Sequence, residues 1–202
     1  NNLFQGLTIR SRGSKPYGYG SYFGKGGGPP YPENEIRANK RSAVKAGGKN
    51  NVYVDCDIYA RSFGHALSWG RKNPNKTFID CYIEGEMRST DDVLAETSGP
   101  AYEVGFKTVW SGEKLQPGNK FSLNEDAFRS YGNRGERGKI KILGCTVKHV
   151  RSAFQLVFGG YEELLISNCS AIGNASAFYL PSRAKVVNTT IDFRYGEALK
   201  MI

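Results

Sequence analysis

The side chains able to do chemistry in this sequence recur at regular intervals. Lys148 is followed by His149 and, after one valine, by Arg151. An amine set among cations has its charged form disfavoured, which makes it a better base near neutral pH. Asp57, Tyr59, Arg61 and His65 form an earlier group; Tyr82, Glu84, Arg88, Asp91 and Asp92 form another. Arg88 and Arg129 carry the planar fork that grips a carboxylate. Tyr131 and His65 hold exchangeable protons, and Trp69 has a flat apolar face on which a sugar ring could stack. Asp57 and Glu84 supply oxygens that a calcium ion would accept, although no calcium-loop motif occurs and no other metal is indicated.

Such residues act together only if a regular element brings them together. The organising stretch is Val52–Ile58, VYVDCDI, which recurs as FIDCYI (Phe78–Ile83), ILGCTV (Ile142–Val147), ISNCSA (Ile166–Ala171) and VVNTTI (Val186–Ile191), with FQGLTI (Phe4–Ile9) as a looser copy. Aligned on cysteine, one column reads Leu7, Cys56, Cys81, Cys145, Cys169 and Thr189, and the column two residues later is Ile9, Ile58, Ile83, Val147, Ala171 and Ile191. Apolar positions two apart mark strand residues pointing to one side. The residue before each cysteine (Asp55, Asp80, Gly144, Asn168, and Asn188 in the last copy) is a turn former that tolerates unusual backbone angles.

Cys56 to Cys81 is 25 residues, Cys145 to Cys169 is 24, and Cys169 to Thr189 is 20. Periods of this size mean stacked repeats, and units of strand character predict a parallel β-helix. The expectation is an all-β solenoid of about six to eight coils in a single domain, 1–202. The four cysteines then form a buried, reduced ladder. Outward residues follow from the register: Thr8, Asp57, Tyr82, Thr146, Ser170 and Thr190 in one row, and Arg10, Tyr59, Glu84, Lys148, Ile172 and Asp192 in the next.

Two stretches break the repeat. Gly13–Asn50 contains SKPYGYGSYFGKGGGPPYP, and Ala95–Gly138 is irregular apart from a DAF segment resembling the second half of a unit. Long loops in a compact domain are usually functional, so both are expected to wall one groove, with Tyr19 and Lys25 reaching the ligand. The net charge of +9 favours a polyanionic partner. No zinc-finger spacing, RNP motif or basic helix points to nucleic acid, and no apolar run is long enough for a membrane span. The absent initial methionine and the ending in mid-phrase, at Ala198–Ile202, read as a processed or partial chain.

The coil phrase VYVDCDI, FIDCYI, ILGCTV and ISNCSA resembles that of the pectate-lyase-like superfamily of right-handed parallel β-helices. The segments RSFGHALSW, EGEMRSTDDVLAE, NEDAFRSYG and TVKHVRSAF are similar to those of bacterial secreted polysaccharide lyases. This resemblance implies a secreted protein, extracellular or periplasmic and monomeric, that cleaves a uronate polymer such as alginate or pectate by β-elimination. Under it Lys148 is the base, Arg88 and Arg129 neutralise the carboxylate, Tyr131 and His65 are proton donors, and Tyr59, Arg61, Glu84, Trp69 and Arg151 bind the chain. Three alternatives stand beside it: a non-catalytic module holding an acidic glycan, a polygalacturonase-like hydrolase, and a phage-type tail fibre. The hydrolase would use Asp91 and Asp92, but neighbours on a strand point to opposite faces.

Overall fold

The computed structural model describes residues 1–10, 42–60, 65–70, 75–85, 87–89, 120–122, 126–131, 138–150, 152–156, 161–174, 176–181, 183–193 and 199–201. The first coil is β1 (Asn2–Gln5), β2 (Thr8–Arg10) and β3 (Val44–Lys45). The second is β4 (Asn51–Val54), β5 (Asp57–Ala60) and β6 (His65–Gly70). The third begins with β7 (Lys76–Ile79) and β8 (Tyr82–Gly85). It then leaves through an antiparallel pair, β9 (Met87–Ser89) and β10 (Lys120–Ser122), and closes with β11 (Asp126–Tyr131). Next come β12 (Gly138–Leu143), β13 (Thr146–Lys148) and β14 (Ser152–Gln155), then β15 (Tyr161–Ser167), β16 (Ser170–Asn174) and β17 (Ser176–Leu180). The last described coil is β18 (Ala184–Val187), β19 (Thr190–Phe193) and β20 (Leu199–Met201).

These strands stack into three parallel sheets of six: sheet A is β1-β4-β7-β12-β15-β18, sheet B is β2-β5-β8-β13-β16-β19, and sheet C is β3-β6-β11-β14-β17-β20. The expected parallel β-helix is thus observed, with six coils among the described residues. Both breaks in the repeat are shorter than their sequence suggested. β3 lies within Gly13–Asn50 and β11 within Ala95–Gly138, and each takes its place in sheet C. Both departures begin at the corner between sheets B and C.

The corner from sheet A to sheet B explains the repeated phrase. Gly6, Asp55, Asp80, Gly144, Asn168 and Asn188 all take φ between 47° and 64°. Only glycine, asparagine and aspartate enter that region readily, because a larger Cβ crowds the following carbonyl. The backbone ladder continues through the turn: Asp55 N donates to Ile79 O at 2.9 Å, Asp80 N to Leu143 O at 2.8 Å and Asn168 N to Val187 O at 3.0 Å. The next residue turns inward and donates to the carbonyl two positions back. Cys56 reaches Val54 O at 3.3 Å, Cys81 reaches Ile79 O at 3.4 Å, Cys145 reaches Leu143 O at 3.4 Å and Cys169 reaches Ser167 O at 3.3 Å. Thr189 does the same with its hydroxyl, to Val187 O at 3.0 Å. On these five coils the column takes a small side chain with a donor at its γ position, which cysteine and threonine both supply; the first coil carries the exposed Leu7 instead. All four thiols are free and buried. Hydrogen bonds with Cys169 and Cys81, reinforced by burial, push the Cys145 thiol well above its usual range and keep it protonated.

The turn geometry gives a direct test. Asn168→Ala should lower unfolding free energy by about 1–2 kcal/mol, whereas Asn168→Gly should stay near the parent, as read from denaturant midpoints.

Inside, like residues lie over like. Phe4, Tyr53 and Phe78 stack with ring centroids 4.8 Å and 5.0 Å apart, and Phe128, Phe154 and Phe178 stack at 5.5 Å and 5.1 Å. Phe78 meets Phe128 edge-on at 5.1 Å, joining the two files across the core. One interior column is polar at its beginning: Asn2, Asn51, Lys76, then Ile140 and Leu164. Asn2 Nδ2 donates to Asn51 Oδ1 at 3.1 Å, Asn51 Nδ2 donates to Gly47 O, and the buried Lys76 Nζ donates to Gly48 O at 2.5 Å. Burial lowers the Lys76 amine to about 8. Above the unfolded value of 10.5 the amine is neutral in both states. As pH falls from 10.5 to 8 the unfolded chain takes up the proton first, so folding weakens across that window. The parent should therefore gain thermal stability from pH 8 to pH 10.5 relative to Lys76→Met, which lacks this titration.

Candidate functional site

Sheet B places the residues read from the cysteine register on one outer face. Burial alternates along its strands: Cys56, Ile58, Ala60, Cys81, Ile83, Cys145 and Val147 are buried, while Asp57, Tyr59, Tyr82, Glu84, Thr146 and Lys148 are half-buried. Register then orders them along the axis. Thr8 pairs with Asp57, Asp57 with Tyr82, Tyr82 with Thr146 and Thr146 with Ser170; beside that row, Arg10 pairs with Tyr59, Tyr59 with Glu84, Glu84 with Lys148 and Lys148 with Ile172. Tyr59, Glu84 and Lys148 are thereby brought together on three successive coils.

The side chains form a connected file. The Arg10 guanidinium lies over the Tyr59 ring, 4.2 Å from its centroid. Tyr59 and Tyr82 are tilted against each other at 5.9 Å. The Tyr82 hydroxyl donates to Glu84 Oε2 at 2.9 Å, and Lys148 Nζ lies 5.4 Å from the Tyr82 ring centroid. A cation over a phenol face is attracted by the ring quadrupole, so each ring holds a charged head at one end of the file. Burial first, then the Glu84 hydrogen bond and nearby negative charge, push the Tyr82 phenol up to about 12. It therefore remains a neutral hydrogen-bond donor at ordinary pH. Tyr82 and Arg10 had no role assigned from sequence, although both stand in the outward rows; the signal was Tyr82's spacing of two from Glu84 on a strand.

The end of β13 is sharply built. His149 has φ of 56°, and its N–H donates to Ile172 O at 3.2 Å. A Cβ on Gly85 would stand 2.1 Å from His149 O, so only glycine fits where coil three passes under this bend.

Other expected site residues lie elsewhere. Trp69 is only 4% exposed and packs against Phe78 at 5.7 Å. It faces the core and cannot stack on a sugar. Arg129 is in sheet C, opposite Ser68 and Gln155, and is 9% exposed. Its Nη1 lies 3.5 Å from Oδ2 of the fully buried Asp126, so its charge is already met inside the protein and it is no open carboxylate clamp. Tyr131 ends β11 opposite Gly70, at the far end of sheet C from the corner that follows Lys148. His65 opens β6 opposite Asp126, next to that corner. Arg88 is in β9, opposite Phe121 of β10, outside the three sheets. Arg61, Arg151, Tyr19, Lys25, Asp91 and Asp92 lie outside the described residues.

Among the described residues no group of three or more His, Cys, Asp or Glu is placed to hold a metal ion. Glu84, named with Asp57 as a calcium ligand, accepts the Tyr82 hydroxyl. No helix among the described residues is long and apolar enough to cross a membrane.

A family model described as a right-handed beta helix region matches residues 32–192. No curated protein matches the chain.

Proposed function

The chain belongs to the right-handed beta helix family, and from that premise we propose that it binds an acidic polysaccharide along the outer face of sheet B and cleaves it by β-elimination. The observation that carries the reading is the file Arg10, Tyr59, Tyr82, Glu84 and Lys148, which places an amine, a guanidinium, a protonated phenol and a carboxylate on one face of four successive coils. The excess of basic residues favours an acidic substrate.

The reaction breaks the C–H bond beside a uronate carboxylate, forms a carbon–carbon double bond and expels the glycosidic oxygen, which takes a proton from water and leaves as a hydroxyl. In its neutral form Lys148 is the base that takes the proton; in its charged form it holds the uronate. The carboxylate must be neutralised while the carbanion forms. Arg129 is spent on Asp126, so that task falls to Arg88, which follows β8 in the chain. Tyr82 hydrogen-bonds the sugar beside the reacting carbon, and Glu84 orients its hydroxyl. The same reading makes the protein a secreted monomer. A binding module without catalysis is the second reading: Arg10 and Lys148, on the same face, can hold acidic groups without any reaction.

Incubation with uronate polymers tests both. Growth of the unsaturated-uronate absorbance supports elimination. New reducing ends without that band would show hydrolysis instead, and binding with neither product would leave the module.

A further inference from the structure

Along the outer face of sheet B two carboxylates stand between two cations, and the order carries information about the ligand. Arg10 stands on the first coil and Lys148 on the fourth, while Asp57 and Glu84 stand on the second and third. Coils follow at about 4.8 Å, so the backbone positions of the two cations are on the order of 14 Å apart, with the two carboxylates on the coils between them and both charged heads leaning inward over Tyr59 and Tyr82. On the last coil the row ends in the exposed Asp192, another carboxylate.

A homopolymer of uronates laid along this face would press acidic groups against Asp57 and Glu84. Like charges brought together at an interface oppose binding and set specificity by exclusion. A chain that carries its acids at intervals, with uncharged sugars between, would meet Arg10 and Lys148 with its carboxylates. Its neutral hydroxyls would donate to Asp57, to Glu84 and to the phenol oxygen of Tyr82, whose own proton is given to Glu84.

We propose that the preferred ligand is an acidic heteropolysaccharide in which uronates are separated by neutral sugars, held at two anion subsites formed by Arg10 and Lys148. The proposal rests on the reading of sheet B as an acidic-glycan face and narrows it from uronate homopolymers to this class.

The test is calorimetric binding of two probes of matched length: hyaluronan oligosaccharides, in which uronate alternates with a neutral amino sugar, and oligogalacturonate, in which every unit is acidic. The alternating probe should bind about tenfold more tightly, from like-charge repulsion of roughly 1.4 kcal/mol at a partly solvated site. Glu84→Gln, which keeps an acceptor for Tyr82, should narrow that ratio by strengthening oligogalacturonate binding. Arg10→Ala should weaken the alternating probe. Equal or tighter binding of oligogalacturonate, or a ratio unmoved by Glu84→Gln, overturns the two-subsite proposal while leaving the acidic-glycan reading intact. Binding of neither probe overturns both.

Discussion

Lys148→Ala should reduce the rate of unsaturated-uronate formation by about 10²–10⁴-fold, the usual contribution of a positioned general base. Lys148 lies on the surface of sheet B, half-buried, with its ammonium over the Tyr82 ring. Its removal takes no apolar volume from the core, so the denaturation midpoint should stay close to the parent. Lys148→Arg separates the base from the charge. Guanidinium remains protonated under all working conditions and cannot accept the proton, yet it preserves the cation at the end of the file. That variant should retain most oligosaccharide affinity and lose rate as severely as the alanine. If Lys148→Ala retains a measured elimination rate, the base lies elsewhere on the protein.

Phe154→Ala should lower unfolding free energy by about 3–5 kcal/mol, read from denaturant midpoints. Phe154 is fully buried and is the middle ring of the sheet C stack, 5.5 Å from Phe128 and 5.1 Å from Phe178. Coils above and below are fixed by their own ladders, so the walls can close only partly on the cavity. Phe154→Leu fills most of that volume and should cost much less. A loss below about 1 kcal/mol for the alanine variant would mean that the stack does not hold adjacent coils together.

The outer rows of sheet B were legible in the sequence because each coil must hydrogen-bond the next. That requirement places a turn former and then a small donor at the same point of every unit, and both carry into the residue types. Asp55 and Cys56, Asp80 and Cys81, and Asn168 and Cys169 therefore set a count from which Tyr59, Glu84 and Lys148 follow as neighbours. Sheet C had no such anchor. The passage from sheet B to sheet C runs from Arg10 to Val44 in one coil, from Ala60 to His65 in the next, from Gly85 to Asp126 in the third and from Lys148 to Ser152 in the fourth. A connection of varying length cannot transmit register, so the facing of Trp69 and the placing of Arg129 and Tyr131 did not follow from the repeat. Arg129 shows the consequence: it read as a free clamp, while its partner Asp126 is buried three residues earlier on the same strand.

The most direct measurement is a nuclear magnetic resonance titration of the labelled protein with a uronate-containing oligosaccharide that it binds, following backbone amide shifts. A ligand on the outer face of sheet B should move residues of Asp57–Ala60, Tyr82–Gly85 and Thr146–Lys148 together, with Arg10 at one end, and leave Tyr161–Ser167 of sheet A unmoved. Shifts confined to sheet A or to Asp126–Tyr131 of sheet C would contradict the account.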